Sequence, residues 1–143
     1  MRTLIFLLFL LSFAKADMCY DENMKIFLKT MKSQNLPLQI DNVTYLTDVE
    51  CKNNTIIYHY QLDFNRIDKR ITANEQMKDL MKKGVRANNK NIYCNSNLIA
   101  WHRENNIAMQ WIYMLDNKEF MSVKMTTKDC EGQSSESNFY QRK

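Results

Sequence analysis

The chain has 143 residues, one domain's worth, with 20 Lys and Arg against 16 Asp and Glu and a formal charge of +4. So small an excess, not gathered into a basic stripe, argues against a nucleic-acid partner. Two glycines in all nearly exclude phosphate-cradling loops and nucleophile elbows.

Arg2 precedes the apolar run Leu4–Leu11, and Ala14-Lys15-Ala16 follows it. A positive start, a short apolar core and a small-x-small site make residues 1–16 a secretory signal peptide, cleaved after Ala16. The run is well below the ~20 residues a spanning helix needs, and nothing after residue 16 is long and apolar enough to span a membrane. Cys19 follows Asp17-Met18, which is not the setting of an acyl-modified cysteine. Cleavage removes Arg2 and Lys15 and no acid, so the charge falls from +4 to +2. The expected location is the periplasm or the medium. Asn42-Val43-Thr44 and Asn53-Asn54-Thr55 are formal glycosylation sequons, relevant only in a eukaryotic host.

Asp21–Gln34 reads as a helix. Met24, Phe27, Leu28 and Met31 recur at helical spacing opposite Lys25, Lys29 and Lys32. Asp21 and Glu22 suit the positive end of its dipole, and Asn35-Leu36-Pro37 stops it. Leu38–Asn42 then leads into a hairpin, Thr44–Phe64, that turns at Lys52-Asn53-Asn54, because Asn tolerates the positive φ of a tight turn. In the second strand Ile56, Tyr58, Tyr60, Leu62 and Phe64 alternate with Ile57, His59, Gln61 and Asp63, so the first set faces a core. In the first, strict alternation puts Tyr45, Thr47, Val49 and Cys51 on one face and Thr44, Leu46, Asp48 and Glu50 on the other.

Asn65–Thr72 reads as a loop. Thr72, with Glu75 three residues on, has capping-box spacing for a second helix, Ala73–Tyr93, with Met77, Leu80, Met81, Val85 and Ile92 roughly on one side. Gly84 offers it an early end. Asn95-Ser96-Asn97 caps a short helix, Asn97–Glu104, that turns Leu98, Ile99 and Trp101 to the core. Then Ile107, Met109, Trp111, Tyr113 and Leu115 alternate with Ala108, Gln110, Ile112 and Met114. Asp116–Glu119 makes a second hairpin turn, and Met121, Val123, Met125 and Thr127 form the inner face of the last strand. Glu131–Lys143, rich in Ser, Gln, Glu and Asn, reads as a disordered tail.

The expected architecture is one α+β domain over residues 17–130. Two hairpins form a single antiparallel sheet, in the order α-β-β-α-α-β-β, with the helices on one face. The four cysteines, an even count in an exported domain, suggest two disulfides. The first helix runs about 20 Å away from Cys19 and the first strand returns a similar distance to Cys51. The last strand ends at Cys130, near the connection that begins at Cys94. The pairs are therefore Cys19–Cys51 and Cys94–Cys130, each worth about 3–4 kcal/mol in the chain-entropy picture.

Asn35–Tyr60 (NLPLQIDNVTYLTDVECKNNTIIYHY), Cys94, Met109–Tyr113 and Asp129-Cys130 carry a resemblance. The chain resembles a recurring type of small exported bacterial protein of unknown function. That type has a helix, a Tyr-x-Tyr hairpin, a helix followed by Cys, and a hairpin ending in Asp-Cys. The resemblance covers most of the mature chain and implies no activity; Cys19 and Cys51 lie outside it.

Chemistry-bearing constellations are scarce. There is no HExxH, CxxC or Gly-rich loop, so neither a metal nor a cofactor is expected. His59 sits on the outward side of its strand and His102 in the short helix, without second ligands at a recognisable spacing. Either one serving as a general base would make the protein a small secreted hydrolase. A cavity lined by Met and Tyr would make it a carrier of a small apolar ligand. The favoured reading is a protein-interaction module such as an envelope assembly factor, inhibitor or immunity-type protein. Its expected partner is another envelope or secreted protein. Leu46, Ile57, His59, Ile112 and Met114 are the partner-binding candidates, because they face away from the presumed core.

Overall fold

The computed structural model of the chain describes residues 17–64 and 74–131. The expected signal peptide, the expected loop Asn65–Thr72 with Thr72 as a cap, and the expected tail beyond Glu131 lie outside the described residues.

Helix α1 (Glu22–Lys32) begins where Asp21 accepts from the backbone N–H groups of Asn23 and Met24. A two-residue strand β1 (Leu38–Gln39) follows, then the hairpin β2 (Thr44–Lys52) and β3 (Thr55–Leu62). Its turn residues Asn53 and Asn54 take φ of 49° and 55°, as a two-residue hairpin demands. Helix α2 (Glu75–Asn95) is capped by Asn74, which accepts from Gln76 and Met77. It runs straight through Gly84. A 3₁₀ turn (Asn97–Ile99) and the short helix α3 (Ala100–Glu104) lead into the hairpin β4 (Ala108–Leu115) and β5 (Lys118–Met125).

The strands form one five-stranded sheet in the order β1-β2-β3-β4-β5. The α+β class and both expected hairpins are present, and each hairpin is antiparallel. The join between them differs from the expectation of a wholly antiparallel sheet: β3 and β4 pair in parallel, so the sheet is mixed. The cause is the connection. At 1.5 Å per residue, α2 travels about 30 Å back along the sheet, and β4 therefore starts at the same end as β3.

The core lies between the sheet and the helices in two clusters. Met24 of α1 packs with Leu46, Val49, Ile56 and Ile107. Tyr93 of α2 packs with Leu62, Phe64, Met109, Trp111, Tyr113, Met121, Val123 and Met125. Leu46 is a correction: it is 2% exposed, in the core, not on the outer face. A β-bulge between Leu46 and Asp48 inserts Thr47 as an extra residue, so Leu46 and Val49 both point inward and the strict alternation breaks. Leu98 departs from expectation the other way; it is 93% exposed, and of that helix Ile99 packs on the core.

Both disulfides are those expected, Cys19–Cys51 and Cys94–Cys130. The end of the sheet where they sit is knitted by polar side chains. Asp17 Oδ1 accepts from the amides of Cys19 and Asn54 at 3.0 and 2.9 Å. Asn54 Oδ1 accepts from Met18 N–H at 3.0 Å, and its amide donates to the Asn106 carbonyl at 3.0 Å. One turn residue thus ties the start of the domain to the entrance of β4. Arg103 performs a similar task nearby, donating to the carbonyls of Tyr93 and Ser96 at 2.6 and 2.8 Å where α2 ends.

Candidate partner-binding site

Helix α1 lies against β2 and helix α2 against β5. The central strands β3 and β4 are therefore covered from the two sides, and the seam between the helices runs over them. Tyr58 and Tyr60 point into this seam. They touch both apolar clusters yet remain half-exposed. Tyr58 stacks on Trp111 (centroids 6.3 Å apart) and Tyr60 on Tyr113 (5.1 Å), with interplanar angles of 16° and 17°. Register explains this, since Tyr58 pairs with Trp111 and Tyr60 with Tyr113 across the parallel join. The parallel pairing that sequence periodicity did not reveal is thus what assembles an aromatic floor.

Burial pushes the Tyr58 phenol up to about 12, and burial with the neighbouring phenols raises Tyr60 further. Both stay protonated at any physiological pH and can donate hydrogen bonds. Neither hydroxyl finds a hydrogen-bond partner among the described residues.

The helices supply the walls. On α2, Lys82 reaches over the Phe120 ring of β5 and Cys94 is bonded to Cys130 beyond β5, so that flank faces the sheet edge. Met81 and Val85 line a cavity of about 190 Å³ with Val43, Thr44, Leu62, Tyr113 and Phe120. Helical spacing sets Met77 one turn before Met81. Leu80, 60% exposed, and Gly84 stand on the side of α2 opposite its buried Asn89 and Tyr93, and nothing lies within 4 Å of where a Cβ on Gly84 would stand. At the other end of the seam α1 and α3 enclose a pocket of about 230 Å³ lined by Asn23, Met24, Phe27, Trp101 and His102.

His102 is half-buried there, with its ring edge-on to Phe27 and Trp101. Burial lowers its pKa below 6.5, so it is neutral at neutral pH. Its pocket shows no carboxylate among the described lining residues. His59 does have a carboxylate neighbour, Glu50 at 2.9 Å, on the open side of the sheet. Ile57, Ile112 and Met114 share that open side, half-exposed, while Leu46 does not. No cluster of three or more His, Cys, Asp or Glu able to hold a metal occurs among the described residues.

Sequence reasoning missed the groove. Tyr58 and Tyr60 were legible as inward-facing, and inward was equated with covered. Only the spacing of α1 from α2 leaves them accessible.

No protein-family model matches the chain, and no curated protein does. Solved structures do. One is a Pseudomonas aeruginosa protein thought to be secreted, at 13% identity and a TM-score of 0.59, over 76% of this chain and 90% of that one. Another is EpsS, the pilotin of the Vibrio vulnificus type 2 secretion system, at 12% identity and a TM-score of 0.55, over 78% of this chain and 93% of that one. The likeness is one of fold. It spans nearly the whole of both neighbours, so the present domain lacks little of their architecture. No described helix is long and apolar enough to cross a membrane.

Proposed function

We propose that this chain is an exported protein-interaction module, an envelope assembly factor. It holds an apolar, helical segment of a secretion-system protein in the groove between α1 and α2. The observation that carries the reading is the aromatic floor, Tyr58 and Tyr60, partly buried and with hydroxyls that meet no hydrogen-bond partner among the described residues, in a position where a single-domain core would ordinarily be closed. Met77 on one wall and Trp101 at one end, both exposed, extend the apolar surface. An amphipathic helix laid in a groove meets such a surface with anchors at every third or fourth residue. The two helices favour a segment flanked by acids: Lys25, Lys29, Lys32, Lys78, Lys82, Lys83, Arg86 and Lys90 outnumber Glu22, Glu75 and Asp79. The fold likeness to a pilotin supports the same class of role.

Export fits the disulfide content, which persists only in oxidising compartments. Cleavage after Ala16 would leave Asp17, already bonded to the Asn54 turn, as the first residue of the mature domain. The chemistry of the described residues does not favour a hydrolase. The phenols stay protonated, and His102 and the His59–Glu50 pair occupy opposite sides of the sheet.

The test is capture from the cell envelope with the mature protein and with Met77→Asp and Trp101→Asp, both at exposed positions outside the buried core. The reading expects a secretion-system component that wild type retains and both variants lose. Retention by both variants, or capture of no envelope protein by any, would overturn it.

A further inference from the structure

No described element packs on the sheet face turned away from the helices. Strand register lays this face out in rows. Glu50, Ile57, Gln110 and Lys124 stand side by side across β2–β5. Asp48, His59, Ile112 and Ser122 form the next row, and Tyr45, Gln61, Met114 and Glu119 the third. A 2.9 Å hydrogen bond from Gln110 to Ser122 runs diagonally between rows, as it must if they share a side. The apolar members Ile57, Ile112 and Met114 lie on the central strands. Charge lies at the flanks: Glu50 toward β2, with its side chain 46% exposed, and exposed Lys124 on β5.

We propose that this face is the interface of a symmetric dimer whose two-fold axis runs roughly along the strands, between β3 and β4. The axis lays β2 of one copy over β5 of the second, and β3 over β4. Each row then faces itself in reverse order. Glu50 meets Lys124 of the second copy, and symmetry makes that pair twice. Ile57, Ile112 and Met114 of both copies gather along the axis. A two-fold axis across the strands would instead stack β2 on β2, where Asp48 is already paired with Lys32 at 3.2 Å, and would leave Glu50 and Lys124 of the two copies apart, so the Glu50–Lys124 pairing selects the first arrangement. Two twisted sheets pack face to face about 10 Å apart with strands some 30° askew, which this axis accommodates.

The size sets the strength. Four strands about 4.8 Å apart and five residues of about 3.3 Å give a face of roughly 19 by 16 Å. Both copies together would cover roughly 600 Å² of projected face, below the size of a standard specific interface, and the dimer is therefore a weak, reversible one. The helix grooves point away from the interface in both copies. A dimer thus presents two grooves and holds a repeated partner by avidity.

Sedimentation equilibrium of the mature protein, residues 17–143, tests this over about 1–200 µM, a range that brackets a micromolar dissociation constant. Wild type should populate a dimer. Glu50→Lys alone and Lys124→Glu alone should each weaken it about tenfold or more. An equimolar mixture of the two single variants should dimerise again, because each heterodimer restores two opposite-charge pairs. Recovery on mixing also shows that both variants are folded. A monomer at every wild-type concentration overturns the proposal. So does a dimer indifferent to the single reversals, or a mixture that stays monomeric.

Discussion

Asn54 is where the structure makes its sharpest energetic statement. Its φ of 55° is left-handed, its Oδ1 accepts from Met18 and its amide donates to Asn106. Asn54→Gly keeps the backbone at ease and removes both side-chain bonds. At about 1 kcal/mol per bond it should cost about 2 kcal/mol. Asn54→Ala loses the same bonds and, unlike Gly, keeps a Cβ in the left-handed region without the polar side chain that lets Asn tolerate it, a further 1–2 kcal/mol or so, for a total near 3–4 kcal/mol. Asn54→Asp keeps the acceptor for Met18, tolerates the φ and loses only the donor to Asn106, about 1 kcal/mol. Urea unfolding under non-reducing conditions reads all three as shifts in midpoint at constant slope. The order wild type, Asp, Gly, Ala is the prediction. If Ala is no worse than Gly, the backbone argument fails; if Gly matches wild type, the tie between the chain start and β4 contributes nothing.

Gly84→Ala meets open space in mid-helix and should raise stability by about 1 kcal/mol, seen as a later unfolding midpoint; a loss would show that α2 is crowded or broken there. Tyr93 is fully buried and its hydroxyl donates to the Ile107 carbonyl at 2.9 Å, so Tyr93→Phe strands a buried acceptor. The expected loss is about 1–2 kcal/mol by denaturant titration, and a neutral result would contradict the bond. His102 is held below its usual 6.5 by burial, so the unfolded chain binds the proton more readily. Its contribution is intact above about pH 6.5 and falls away as the pH drops from there through the lowered folded pKa. His102→Gln should flatten that part of the stability–pH curve, and NMR of the imidazole should show titration below 6.5; titration at or above 6.5 refutes the assignment.

Period-two and helical spacing made the elements and most of their buried faces legible. Ile56, Leu62, Met109, Trp111 and Val123 are buried as their alternation requires. The cysteine pairs followed from reach alone, because β2 runs back past α1 to the end where Cys19 lies and β5 runs back to the end where Cys94 lies. What escaped was whatever depends on one added residue or on two distant elements at once. Thr47 is an ordinary strand residue, and nothing in it announces the bulge that turns Leu46 inward. Asn74, which the pattern does not single out, caps α2. The parallel join of β3 to β4 is a property of the long crossover, to which the strand patterns are indifferent. The groove depends on how far apart α1 and α2 come to rest over Tyr58 and Tyr60, a distance no local pattern encodes. The open-face residues Ile57, His59, Ile112 and Met114 were readable because they need only alternation and one-sided helix cover.

The central claim is that the helix side of this domain holds a partner and the bare sheet side holds a second copy. Site-specific photocrosslinking in the living cell tests it most directly, with the crosslinking amino acid placed at Trp101 in one strain and at Gln110 in another. The expected outcome is that Trp101 yields an adduct with a secretion-system component and that Gln110 yields a species of twice the chain's own mass. A heterologous adduct from Gln110 and none from Trp101 would contradict it and move the partner to the open sheet.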